Sequence, residues 1–132
     1  MEGAFVVYRG AYYYLFYSGD DCCSPAPSCA VMVARSRSAT GSFEKRSETT
    51  GEWGANVILQ QNRQWEGTGH NSVVRDEADR DWIFYHAIDP DDRYNPGTEA
   101  PKRPMLVDRS GWSEIEERSP STRERQGPLV RY

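Results

Sequence analysis

Apolar and polar positions alternate over short distances along this chain, and the apolar ones are mostly aromatic or β-branched. They gather in seven runs: AFVVY (4–8), YYYLFYS (12–18), CAVMVARS (29–36), NVILQ (56–60), NSVVRD (71–76), DWIFYHA (81–87) and PMLVDRS (104–110). Gly, Pro, Asp or Ser flanks each run, and none sustains an apolar period of 3.6 residues, so the pattern predicts strands joined by turns. The chain reads as all-β.

The runs also repeat. A shift of 68 places sets EGAFVVYRGAYYYLFYSGDD, from Glu2, over HNSVVRDEADRDWIFYHAID, from His70, without a gap. Val6 then matches Val74, Tyr14 matches Trp82, Leu15 matches Ile83, and Phe16-Tyr17 matches Phe84-Tyr85. Farther on, VARS (33–36) matches VDRS (107–110) at an offset of 74, as a longer inserted loop requires. Antiparallel strands repeated at a period above about 40 residues are the pattern of propeller blades, whose innermost strands line a central channel. The blade-like repeats are expected over about 2–47 and 70–116. Under the ungapped match Glu2 is equivalent to His70, and both are expected at the start of an innermost strand.

Composition narrows the partners. Sixteen Lys and Arg against 20 Asp and Glu give a net charge of −4, with both signs interspersed; without a basic stripe, no nucleic-acid partner is expected. No apolar run approaches the roughly 20 residues that span a bilayer, so no membrane partner is expected, and no signal-peptide pattern follows Met1. Cys22, Cys23 and Cys29 share one loop-like stretch. They lack zinc-ligand spacing; Cys29 can bridge to Cys22 or to Cys23, or all three can stay reduced, which leaves the redox compartment open.

Taken in order, EGAFVVYRGAYYYLFYSG (2–19), the Cys22-Cys23 pair, VARSRSATGSFEK (33–45), GTGHNSVVRDEADRDWIFYHAID (67–89), MLVDRSGW (105–112) and the closing SPSTRERQGPL resemble the glycoside hydrolases of family 43. The resemblance covers nearly the whole chain, and the paired cysteines place it toward the endo-arabinanases. It implies a five-bladed β-propeller, of which this chain supplies about the C-terminal half. It also implies cleavage of arabinan or related arabinose- and xylose-containing plant polysaccharides, and a secreted or periplasmic place for a full-length relative.

The family's inverting reaction needs an acid that protonates the leaving oxygen and a base, roughly 6.5–9.5 Å away, that activates water. By resemblance Glu2 is the general acid, with Ala4 where the family often has Pro. His70 matches a histidine that helps to hold one calcium ion at the propeller axis; an imidazole is a poor ligand for so hard a cation, so most of the ion's shell is expected to be water. Asn71 and Ser72 are expected to support the turn or bind water. Arg103 matches an arginine that reaches sugar hydroxyls, and Trp53, Trp65 and Tyr94 can stack on sugar rings or serve as core and rim aromatics. The family's base and a second aspartate belong to earlier blades. None of Asp20, Asp21, Asp76, Asp79, Asp81 and Asp89 is expected at an axial strand start. This chain is therefore expected to carry the acid without the base, to be inactive alone, and to self-associate through exposed blade faces. The competing expectation is a non-catalytic carbohydrate-binding or scaffolding remnant.

Overall fold

The computed structural model describes residues 1–22, 24, 26–45, 47–48, 51, 54–92, 105–110, 115, 118–124 and 126–130, with the backbone alone for 92 and 105–110. Two antiparallel sheets face each other. The first contains β1 (Glu2–Arg9), β2 (Tyr12–Gly19), β3 (Ala30–Ser36) and β4 (Glu44–Lys45) in that order, with β5 (Val57–Leu59) also paired to β3. The second is β6 (Glu66–Arg75), β7 (Asp81–Ile88) and β8 (Met105–Ser110), and one 3-10 turn covers Pro90–Asp92. The strand-forming aromatic and β-branched runs thus become strands. The exception in length is β6, which starts at Glu66, well before the expected 71. Among its first residues Gly67 and Gly69 lack strand propensity, but the chain there lies close against Pro27 and Cys29. A Cβ on Gly69 would stand 3.0 Å from the Cys29 Sγ.

Turn chemistry differs between the two leading hairpins. Arg9 pairs with Tyr12 across a two-residue turn, Gly10 and Ala11, both at positive φ (54° and 69°), as type I′ geometry requires. Arg75 instead pairs with Asp81 across a longer turn in which the Asp76 carboxylate accepts from the backbone N–H of Ala78 and Arg80, each at 2.9 Å.

This difference shifts the repeat by one residue. Phe16 pairs with Val33 and Phe84 with Val107, so the second strands correspond at 68 places and the third at 74. Glu2, however, pairs with Ser18, and Gly69 with His86. The first strands therefore correspond at 67 places: Glu2 matches Gly69, and His70 matches Gly3. Both strands carry a bulge at that point, between Glu2 and Phe5 and between Gly69 and Ser72. Gly3 and His70 both have left-handed backbones, at φ 60° and 48°. His70 accordingly sits inside β6, not at its start.

β6 packs across β1, β2 and β3. Between the sheets lie Phe16, Val31, Val33, Ile58 and Leu59 from the first sheet and Val73, Ile83, Tyr85 and Ala87 from the second, joined by Ile115. Alternation sends every second residue of β1 and β2 to this core, so Phe5, Val7 and Tyr14 pack against it while Val6 and Tyr8 stay outside, 47% and 54% exposed. Trp65 also packs on the core, which makes it a structural aromatic.

Polar contacts close the outer ends. Asp81 accepts from Arg9 of the first sheet (3.2 Å) and Arg75 of the second (3.0 Å). The segment from Arg118 to Leu129 is tied at three points: the Arg118 carbonyl accepts from the Gln60 N–H, the Pro120 carbonyl accepts from Asn62 Nδ2, and the Leu129 N–H donates to Asp76. Among the open cysteine pairings, Cys22–Cys29 is the disulfide; Cys23 lies outside the described residues.

Candidate active site

The bulges bring the two leading strands into contact at one end of the sheets. Gly3 and His70 approach so closely that a Cβ on Gly3 would stand 2.9 Å from the His70 Cα, and the positive φ there also favours glycine. Ser18, fully buried and paired with Glu2, accepts a 2.7 Å hydrogen bond from the His70 backbone N–H. Glu2 and His70 are thus carried by neighbouring strands whose relative position is fixed by one buried hydroxyl and one glycine. Glu2 is exposed and stands at the rim of an apolar recess of about 310 Å³ lined by Ala4, Leu15, Tyr17, Ala34 and Phe43.

Two features here break ordinary rules of local structure. His70 holds a left-handed backbone that a non-glycine residue adopts at a cost of about 1–3 kcal/mol. Asn71 is only 5% exposed, yet neither polar atom of its side chain is hydrogen-bonded among the described residues. Such a buried amide costs about 1–3 kcal/mol unless something pairs with it. The His86 ring lies 6.4 Å from that of His70. Sequence reasoning did not single out Ser18 or His86; only the pairing register places them beside Glu2 and His70.

The aspartates are otherwise engaged. Asp20 accepts from the Ser28 hydroxyl, Asp21 from the Ser24 N–H, Asp89 from the Asp91 N–H, and Asp79 pairs with Arg75. Burial alone pushes Asp76 up, but hydrogen bonds from Arg80, Trp82 and Leu129 outweigh it and hold the carboxyl far below the usual range. For Asp81 burial is likewise outweighed, by Arg75 and Arg9. Among the described residues no three His, Cys, Asp or Glu side chains cluster as a metal site. Neighbouring imidazoles are not the oxygen cage that calcium takes, so the described residues do not by themselves fit a dedicated calcium site. Arg103, Trp53 and Tyr94 lie outside the described residues. No helix among them is long and apolar enough to cross a membrane.

Residues 1–113 match the family model "Glycosyl hydrolases family 43", and the chain belongs to that family. It is 29% identical over 120 residues to the extracellular exo-α-(1→5)-L-arabinofuranosidase of Cellvibrio japonicus, covering 89% of this chain and 34% of that protein. With arabinan endo-1,5-α-L-arabinosidase A of Aspergillus aculeatus it shares 34% identity over 96 residues, 67% of this chain and 30% of the relative. The solved structure of a Cellvibrio cellulosa α-L-arabinanase with arabinohexaose superposes at a TM-score of 0.71 and 26% identity, over 88% of this chain and 36% of that one. A thermostable family-43 glycoside hydrolase, 24% identical, shares the fold at a TM-score of 0.73. The chain spans about a third of the length of the relatives it matches.

Proposed function

We propose that this chain is the acid-bearing C-terminal portion of an inverting arabinan hydrolase, about half of a five-bladed propeller. Glu2 is the general acid that protonates the leaving sugar oxygen, and Arg103 is a contact to sugar hydroxyls. His70 is one protein contact of a largely hydrated calcium ion. The base that activates water on the opposite face belongs to sequence outside this chain. A full-length protein of this kind acts outside the cell, in keeping with the Cys22–Cys29 bridge and with relatives named extracellular.

One observation carries the reading: Glu2 and His70 are held together through Ser18 and Gly3, and the backbone at His70 is one that glycine would adopt at lower cost. A histidine kept at such a position, beside a buried unpaired amide, is the type of local conflict that functional sites carry. The engagement of Asp20, Asp76, Asp79, Asp81 and Asp89 in local contacts supports the reading that none of these five is the base. The isolated chain, incubated with linear arabinan, is expected to release no reducing sugar. Turnover by a clean preparation, abolished by Glu2→Gln, would mean that the chain holds its own base.

A further inference from the structure

The loop closed by the Cys22–Cys29 bridge lies against the strand that carries His70. Cys29 is fully buried and Cys22 nearly so. The start of β6 meets this loop at three successive residues. A Cβ on Gly67 would stand 2.9 Å from the Pro27 Cβ, the Thr68 hydroxyl donates to the Cys29 carbonyl at 3.3 Å, and a Cβ on Gly69 would stand 3.0 Å from the Cys29 Sγ. Gly69 is pressed from a second side as well, since the same Cβ would stand 3.2 Å from the Ser18 Oγ. That oxygen accepts the hydrogen bond from the N–H of the next residue, His70, and Ser18 is paired with Glu2. The bridge sulfur and the hydroxyl that joins Glu2 to His70 thus bear on one glycine, where the β6 bulge begins.

We propose that the Cys22–Cys29 bridge is a redox-sensitive positioning device for this site: oxidised, it holds Gly69 and the His70 backbone against Ser18, and its reduction displaces them. Two bonded sulfurs occupy less room than two thiols, which must stand apart at van der Waals separation. Around a fully buried Cys29 that room has to come from a neighbour, because interiors are packed without spare volume. Gly69 touches the sulfur and has no side chain to rearrange, so its backbone is what gives way. The chemistry is thiol–disulfide exchange with a dithiol reductant. One thiolate of the reductant attacks the Cys22 sulfur, the S–S bond breaks, and Cys29 leaves as a thiolate and takes a proton; the reductant's second thiol then releases Cys22 and closes the reductant's own disulfide. The inference deepens the catalytic reading and rests on it for its consequence, but its test reads the histidine and not sugar release, so the two can fail separately.

His70 and His86 are the chain's two histidines, with rings 6.4 Å apart, so the imidazole signals of an NMR spectrum report on this site alone. Spectra are compared at one pH before and after treatment with dithiothreitol, the reduction of all three cysteines being verified by thiol titration. The His70 ring and backbone amide signals are expected to shift. The indole N–H signal of Trp82, which donates to Asp76 at the far end of the β6–β7 hairpin, is expected to stay. Loss of a bridge that merely supports the fold would move neither or both. Cys22→Ala/Cys23→Ala, which keeps Cys29 as a thiol without any reductant, is expected to show the His70 signals of the reduced wild type. His70 signals that stay in place on reduction, a Trp82 signal that moves with them, or a double variant that retains the oxidised positions overturns the proposal.

Discussion

At His70 a side chain and its backbone pull in different directions. The left-handed φ of 48° suits glycine, and the matching position of the first sheet is Gly3. The hydrogen bond that ties this point to Ser18 uses the His70 main-chain N–H, so it survives removal of the imidazole. His70→Gly is therefore expected to raise stability by about 1 kcal/mol in urea unfolding, while a histidine needed for packing would give a loss instead. Asp76 is the opposite case, a carboxylate wholly committed to structure. It joins Arg80 (2.7 Å), the Trp82 indole N–H (2.9 Å) and the Leu129 N–H (3.3 Å), and so ties the β6–β7 turn to the C-terminal segment. Its folded pKa lies below the ordinary 3.8. The stability it contributes is thus complete above the unfolded value, declines as pH falls below about 3.8, and is lost only below the folded value. Asp76→Asn is expected to lower the thermal midpoint at neutral pH and to flatten its fall between about pH 4 and pH 2; a variant with the wild-type acid profile there would contradict this role.

At the scale of elements, strand identity was legible because aromatic and β-branched runs bounded by turn residues have few other uses, and the third strands kept their offset of 74 in the pairing. The leading strands were misread by one residue. An ungapped match cannot register that one hairpin closes with two residues and the other with five, nor that both strands bulge, so Glu2 was set against His70 when its partner position is Gly69. The start of β6 was missed for a related reason: Gly67 and Gly69 look like a loop in sequence, and only their close approach to Pro27 and Cys29 makes them strand. Cysteine pairing was undecidable from three thiols in one loop. The Cys22–Cys29 bridge closes a short loop ending where β3 begins. In the chain-entropy account a loop this short contributes about 2.5 kcal/mol. Cys22→Ser is expected to lower unfolding stability by about that amount, measured against the oxidised wild type in urea; no change would show that the bridge does not constrain the unfolded chain.

For the whole molecule, the family was legible from ordered motifs over most of the chain, and the match over residues 1–113 establishes it. The proposed inverting reaction needs two carboxylates on opposite sides of the bond, and this chain spans about a third of its relatives, so its sequence offers at most one side of such a site. Among the described residues Asp20, Asp21, Asp76, Asp79, Asp81 and Asp89 serve turns, ion pairs and the C-terminal tie. Glu2 is proposed as an acid whose base lies in sequence outside this chain. The most direct test is a chimera in which this chain replaces the matching portion of the Cellvibrio japonicus arabinofuranosidase, assayed on arabinan and on an aryl arabinofuranoside whose activated leaving group needs no protonation. The chimera is expected to hydrolyse both. Glu2→Gln is expected to cut arabinan turnover by roughly 10²–10⁴-fold and the activated substrate far less. Equal turnover of arabinan with and without the Glu2 carboxyl, in a chimera that keeps its β-sheet circular dichroism, would contradict that role for Glu2.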